Sequence, residues 1–287
     1  MLEELLGVLG NSHFEGYVAS PLMGIVYGAI LYGLTKKPDD AKRNESPEDV
    51  KNEFHIEKTE VHHHHHHHYG NRSSGPSEDG LPLALILGFV GIAGLFLLTA
   101  YLPAVAQVLH LFNATTAVFA LTTVVLMVIG GRFNGPAWWV HSVFPVLASL
   151  ICFWLTIEAR GNVRPDVVTY AHSLIANVPW SFANLVSAVF TFFRVIGNQY
   201  VLWVELIGAA FVCIATCSVI LLFQCIHYVS LSNLRAGGAG IWLWLALRTK
   251  RFGGVQSILL ASSLLVVGGL LATGTVYSWI HPAVAGA

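Results

Sequence analysis

Nearly all acidic residues of this chain lie in its first 80 positions. Of 16 acidic residues, 13 precede residue 81, and only Glu158, Asp166 and Glu205 occur in the last 207 positions. Charged residues make up 11% of the chain and hydrophobic residues 55%, whereas a soluble domain carries roughly 25% charged residues. Because so few charges cannot cover a water-soluble fold, lipid must be the solvent for most of residues 81–287. The sequence therefore predicts an all-α, polytopic integral membrane bundle.

Six apolar segments are long enough to cross a bilayer. About 20 helical residues span a hydrocarbon core of roughly 30 Å, since each residue rises about 1.5 Å. Two segments also carry small residues at helical spacing, Gly24 with Gly28 and Gly88 with Gly91, which is typical of close helix packing in membranes. The predicted spans are residues 17–35, 82–101, 112–131, 136–157, 200–226 and 255–280.

Residues 167–196 are apolar overall, but polar side chains and Pro179 interrupt them. Such a pattern indicates a re-entrant or interfacial pair of helices rather than a lipid-facing span. The basic residues favour the same interpretation. Lys36 and Lys37 place residues 36–80 in the cytoplasm by the positive-inside rule, and the N-terminus then lies on the opposite face. The later basic cluster around Arg248 falls on the cytoplasmic face only if residues 167–196 do not cross.

We therefore prefer six spans, with both termini opposite the cytoplasmic face. The alternative is seven spans, which moves the cluster Arg248, Lys250 and Arg251 to the wrong face for that rule. In either topology the membrane bundle occupies residues 81–287, and the lipid bilayer is its first partner.

Two polar segments precede the bundle. Residues 1–16 are predicted to form an interfacial amphipathic helix, because leucines recur at helical spacing opposite Glu3 and Glu4. Residues 36–80 contain ten acidic and seven basic residues and few large apolar side chains, which predicts a flexible cytoplasmic loop. Within this loop, Ser46 and Asp49 loosely match a capping box that could begin a short helix.

Seven consecutive histidines stand in the same loop. Neutral imidazole binds transition metals, so the tract is a candidate metal collector. A flexible homopolymer defines no coordination number, however, and an engineered affinity tag or a tract without a role explains the pattern equally well. The candidate ligands are His62, His63, His64, His65, His66, His67 and His68.

Glu205 is the one carboxylate placed inside a predicted span. An unpaired charge at the centre of a membrane helix costs about 2.5–3.5 kcal/mol. A turn at Gly197 would allow Arg194 to meet Glu205, either as a structural salt bridge or as an ion or proton site shared with Asn198 and Gln199. Contact between Glu205 and a partner subunit is the third possibility.

Four histidines of the membrane region allow a haem hypothesis. In the six-span topology His141 and His227 lie near the cytoplasmic face, and His110 and His172 lie near the other. Two such pairs could each supply the axial ligands of a b-type haem. The same residues could equally anchor helix ends at the interface, and no cofactor is required by the sequence.

No catalytic motif accompanies these features. The sequence contains no H-E-x-x-H, G-x-S-x-G, Walker A or C-x-x-C pattern, and its net charge of −1 predicts no nucleic-acid partner. We therefore expect a non-enzymatic membrane subunit of a larger multiprotein assembly. The alternatives are a small-solute or metal-ion transporter using the Glu205 region, and a haem-bearing redox subunit.

Overall fold

The computed structural model describes residues 20–33, 45–56, 80–131, 135–176, 178–238 and 240–281. Within these ranges the chain consists of helices and turns without strands, which confirms the predicted all-α membrane bundle. The predicted helix over residues 1–16 and the histidine tract lie outside them. Four described helices are long and apolar enough to cross a membrane: Leu102–Ile129, Pro136–Gly161, Tyr200–Arg235 and Val255–Ala272.

Eleven α-helices follow one another in the described ranges, and several begin beside proline or glycine. Proline suits the first turn of a helix because the amide hydrogen that it lacks has no partner there. Gly197, with φ 74° and ψ 156°, breaks the longest helical stretch in two. The helices are α1 Ser20–Gly33, α2 Pro47–Glu53, α3 Gly80–Ala100, α4 Leu102–Ile129, α5 Pro136–Gly161, α6 Pro165–Ala176, α7 Phe182–Gly197, α8 Tyr200–Arg235, α9 Ile241–Thr249, α10 Val255–Ala272 and α11 Thr275–Ile280.

Helices α4 and α8 run in the same direction along the centre of the bundle. The Ser218 hydroxyl lies 2.5 Å from Asn113 Oδ1, and the Ser232 hydroxyl lies 3.0 Å from the Met127 sulfur. In each pair the two residues are 105 positions apart in the sequence, so the two helices keep a constant register. Asn113 also contacts Thr156 of α5 at 3.5 Å, which ties three helices together in the membrane interior.

Helix α10 packs antiparallel to α8, and α1 packs parallel to α4. A β-carbon on Gly268 would lie 3.3 Å from Cys213, while Gly253, just before α10, lies against His227. On the other side of the bundle, Gly24 packs against Thr115 and Gly28 against Thr122. Helices α1, α4 and α8 are therefore parallel to one another, and α10 is antiparallel to them.

These directions give the bundle two distinct ends. The basic end, as we call it, holds Lys51, Arg235 and the cluster Arg248, Lys250 and Arg251, because it contains the last turn of α8 and the start of α10. The acidic residues Glu158, Asp166 and Glu205 belong to the other end. Residues 45–56 and the later basic cluster thus lie at one end of the bundle, as the six-span topology expects. The membrane face of that end stays a prediction.

Helices α3, α6 and α7 pack around an apolar cluster of their own at the other end. The rings of Phe96 and Phe192 are 5.3 Å apart, and those of Phe89 and Phe182 are 5.7 Å apart. Leu95 also packs over Gly208 of α8. A straight helix would separate Phe182 from Gly208 by about 39 Å, which six residues of α3 cannot bridge. The break at Gly197 therefore turns α7 sharply away from α8.

The start of α4 differs from the predicted span of residues 112–131. Helix α4 begins at Leu102 and follows α3 after Tyr101 alone. The physical reason is Pro103, which stands in the first turn of α4, where its missing amide hydrogen is tolerated. The pair of helices predicted over residues 167–196 is present as α6 and α7, and its re-entrant placement stays a prediction.

Residues 45–56 form a short helix and a turn, and the helix begins at the capping box of Ser46 and Asp49. The capping box of Ser46 and Asp49 is complete: Ser46 N–H donates to Asp49 Oδ2 at 2.8 Å, and Asp49 N–H donates to Ser46 Oγ at 3.3 Å. Val50 and Ile56 are fully buried. The segment has no core of its own, so its order comes from apolar surface that the bundle supplies.

Candidate functional site

The structure does not bring the predicted pair Arg194 and Glu205 together. Both side chains are exposed, and no ion pair joins them within the described ranges. Glu205 lies in the second turn of α8, between the apolar residues 201–204 and the apolar residues that follow from Leu206. The turn at Gly197 carries Arg194 away with α7. The side chains of Asn198 and Gln199 lie outside the described part of the chain.

A different ion pair occupies this end of the bundle. Arg164 donates two hydrogen bonds to Asp166, at 3.0 and 2.6 Å, and a third to the Tyr200 hydroxyl at 2.7 Å. The Arg164 guanidinium lowers the pKa of the Asp166 carboxyl. Both side chains are largely exposed, so the pair contributes little stability.

The four membrane histidines each pack on an aromatic ring rather than facing one another. His141 and His227 do share the basic end, but both lie beside the Tyr228 ring, at centroid distances of 4.5 and 5.5 Å. His110 lies on Phe153, and His172 lies on Tyr101. These contacts give no support to paired haem ligation. The described residues also contain no group of three or more His, Cys, Asp or Glu side chains placed to hold a metal ion.

The largest buried polar cluster lies in the last turns of α8, at the basic end. A helix of 36 residues is about 54 Å long, which exceeds a hydrocarbon core of roughly 30 Å. The apolar run ends at Phe223, so the following turns extend beyond the core. There the helix is enclosed by protein, and six polar side chains are at most 1% exposed: Gln224, His227, Ser230, Ser232, Asn233 and Arg235.

Two backbone carbonyls organise this cluster. The carbonyl of Gly253 accepts hydrogen bonds from Lys51 Nζ at 2.9 Å and from the Tyr228 hydroxyl at 2.6 Å. The carbonyl of Glu45 accepts from Trp138 Nε1 at 3.0 Å and from Arg235 Nη1 at 3.1 Å. Each carbonyl thereby joins residues 45–56 to the bundle, one at each end of the segment.

Both buried cations have their charge offset by neighbours. Lys51 is 2% exposed and forms an ion pair with Glu48 at 3.0 Å. The Arg235 guanidinium lies 4.5 Å from the centre of the Trp138 ring, a cation–π contact that gains strength when water is excluded. Lys51 and Arg235 thus hold residues 45–56 against the bundle.

The His227 ring lies inside this cluster, between Thr249 and Gly253. Its Nδ1 lies 3.1 Å from the Thr249 hydroxyl, and its other ring edge lies against Gly253. Sequence reasoning missed this cluster because it ended the span at residue 226. The available signal was the polar spacing of three and four residues from Gln224 onwards, which places these side chains on an inward face.

Two glycine faces of the bundle differ in whether a helix covers them. A β-carbon on Gly24 would lie 2.9 Å from the Thr115 carbonyl, and one on Gly28 would lie 2.7 Å from Thr122. No described atom lies within 4 Å of a β-carbon built on Gly88 or Gly91. The same holds for Gly94, so α3 is open at these three glycines.

No known protein resembles this chain closely enough to suggest a role for these residues. Comparisons with protein-family models, with curated proteins and with solved structures give no match to the chain. The fold and the two sites define an integral membrane helical bundle with a buried polar end, bonded in part to residues 45–56, and an uncovered glycine face. Its function must be inferred from those features alone.

Proposed function

We propose that this protein is a non-enzymatic integral membrane subunit of a larger membrane-embedded assembly. The observation that carries the proposal is the open glycine face of α3, formed by Gly88, Gly91 and Gly94. Small residues allow two helix backbones to approach closely, which is the main source of helix association in lipid. An uncovered face of this kind is suited to a helix from another subunit.

The chain itself shows what such a face does when it is covered. Gly24 and Gly28 bring α1 so close to α4 that added β-carbons would meet backbone and β-branched atoms of Thr115 and Thr122. The face of α3 has comparable spacing, with Gly88 and Gly91 three residues apart. Its neighbours Ile86, Leu87 and Val90 are exposed as well, so the surface around the glycines is apolar and able to pack.

Four of the buried donors at the basic end support a non-enzymatic role. Lys51, Tyr228, Trp138 and Arg235 all donate to the two carbonyls that hold residues 45–56. These bonds satisfy groups that burial would otherwise penalise, and they leave those donors occupied. Glu205, which a transporter would use, is exposed and forms no ion pair with a described residue.

The test is purification of the full chain in mild detergent, followed by measurement of what accompanies it. The proposal expects other membrane proteins in fixed stoichiometry. The double substitution Gly88→Leu with Gly91→Leu should release them, because leucine would occupy the space that a partner helix needs. Val125→Leu, at an exposed site on α4, is the matched control and should release nothing. A clean monomer or homomer from the native protein, or an assembly that survives the double substitution, would overturn the proposal.

A further inference from the structure

Three exposed cations directly precede the spanning helix α10. Arg248, Lys250 and Arg251 stand within seven residues of its first residue, Val255. No ion pair involves any of the three in the described part of the chain. Helix α2 at the same end carries Glu48, which is bonded to Lys51, and Asp49, which is bonded to Ser46, as well as Glu53. The cluster is therefore a concentration of positive charge without an ion-pair partner among the described residues.

The depth of this cluster is set by an aromatic contact. Phe252, directly after Arg251, stacks on Phe223 of α8 with ring centroids 5.0 Å apart. Phe223 is the last residue of the apolar run of α8, so it marks the edge of the hydrocarbon core. The three cations thus lie beside that edge, at the level where lipid phosphates are found.

Helix α9 has the side-chain arrangement of a helix that lies in the interface. Trp242, Ala246 and Thr249 are buried against the bundle, whereas Ile241 and Trp244 are 61% and 57% exposed. Arg248 lies 5.9 Å from the centre of the exposed Trp244 ring. Exposed tryptophan at the headgroup level, next to arginine and lysine, is typical of segments that bind the surface of a membrane.

We propose that Arg248, Lys250 and Arg251, together with the exposed face of α9, bind anionic phospholipid headgroups of the leaflet at the basic end. Lipid phosphates supply the charge that this cluster lacks, and Trp244 inserts beside them at the interface. Each lysine or arginine near an anionic membrane surface adds to the attraction, so the three cations act together. Charge on the lipid, rather than its apolar chains, should therefore decide the binding.

The test uses the full chain in mild detergent and phosphatidylglycerol or phosphatidylcholine as the added lipid. Bound lipids are counted by native mass spectrometry, and the fluorescence change of tryptophan gives an apparent Kd. The proposal expects phosphatidylglycerol to bind at least about ten-fold more tightly, with the preference falling as salt rises. Glycerol phosphate is the second arm: as a free anion without acyl chains, it should compete only weakly.

The triple substitution Arg248→Gln, Lys250→Gln and Arg251→Gln should remove most of that preference. Arg164→Gln, at the other end of the bundle, is the matched control and should leave it intact. Since all three side chains are exposed, thermal unfolding should change little; if the triple variant fails to fold, Lys250→Gln alone should still weaken the binding by several fold. Equal binding of the two lipids, unchanged binding by the variants, or full competition by glycerol phosphate would overturn the proposal.

Discussion

The imidazole of His227 occupies the place that a β-carbon on Gly253 would need. The His227 side chain is fully buried and is held by Thr249 on its other side, so it has little room to move. Gly253 has a φ that other residues adopt, −91°. A glycine is therefore needed at position 253 because of the contact with His227, and not because of the backbone conformation.

Substitution of Gly253 by alanine should destabilise the basic end. Overpacking a buried site costs about 1–3 kcal/mol, and displacement of Gly253 would also strain the hydrogen bonds from Lys51 and Tyr228. Thermal unfolding in detergent measures the loss. Gly254→Ala is the control, because its nearest non-neighbouring atom is 3.9 Å from the added β-carbon. Equal unfolding temperatures for the two variants would contradict the packing described.

The contact of His227 with Gly253 illustrates what the sequence could not provide. Apolar runs predicted the spans because hydrophobic length is a local property. The docking of residues 45–56 is not local, since Val50 and Ile56 gain their burial from helices far away in sequence. Likewise, Gly197 signalled a break, but only the contact of Leu95 with Gly208 reveals how sharply α7 turns.

The same limit of local hydropathy explains why the sequence pointed to Glu205 and not to the buried polar cluster of α8. Hydropathy marks Glu205 as a polar residue within an apolar span, but it does not show which way the side chain faces, and in the structure Glu205 is exposed. In the structure α8 extends about ten residues further at its other end, and the buried polar groups lie there. Polar residues at helical spacing could have indicated this inward face, whereas their partners Glu45 and Gly253 could not be predicted.

Replacement of Lys51 by methionine should loosen residues 45–56 from the bundle. The substitution keeps most of the side-chain volume but removes the donor to the Gly253 carbonyl and the partner of Glu48. Loss of a charged hydrogen bond costs about 1.5–3 kcal/mol. Hydrogen exchange over α2 should therefore quicken by ten-fold or more. Lys250→Met, at an exposed site, should leave that exchange unchanged, and equal effects of the two substitutions would rule out the anchoring role.

Substitution of Gly24 by alanine should separate α1 from α4. The added β-carbon would lie 2.9 Å from the Thr115 carbonyl and 3.0 Å from the Phe119 amide, and backbone atoms cannot yield as side chains do. We expect a loss of about 1–3 kcal/mol, seen as faster protease cleavage near α1 and a lower unfolding temperature. Gly161→Ala, at the end of α5, meets no described atom within 4 Å and should be neutral or slightly stabilising.

Acid should release α2 through Asp49. The hydroxyl and the backbone N–H of Ser46 both donate to this carboxylate, and these bonds lower its pKa in the folded state. Because the folded pKa lies below the unfolded value of about 3.9, the contribution is complete above that value and is lost as pH falls through the folded pKa. Hydrogen exchange of the amides of Asp49 and Val50, corrected for its intrinsic pH dependence, should thus show constant protection from pH 7 to 5 and a decline below pH 4. Asp49→Asn should weaken protection at neutral pH and flatten this decline. Glu53→Gln, in the same helix, should keep the native profile; a decline of equal size in the Asp49→Asn variant would assign the acid sensitivity to another group.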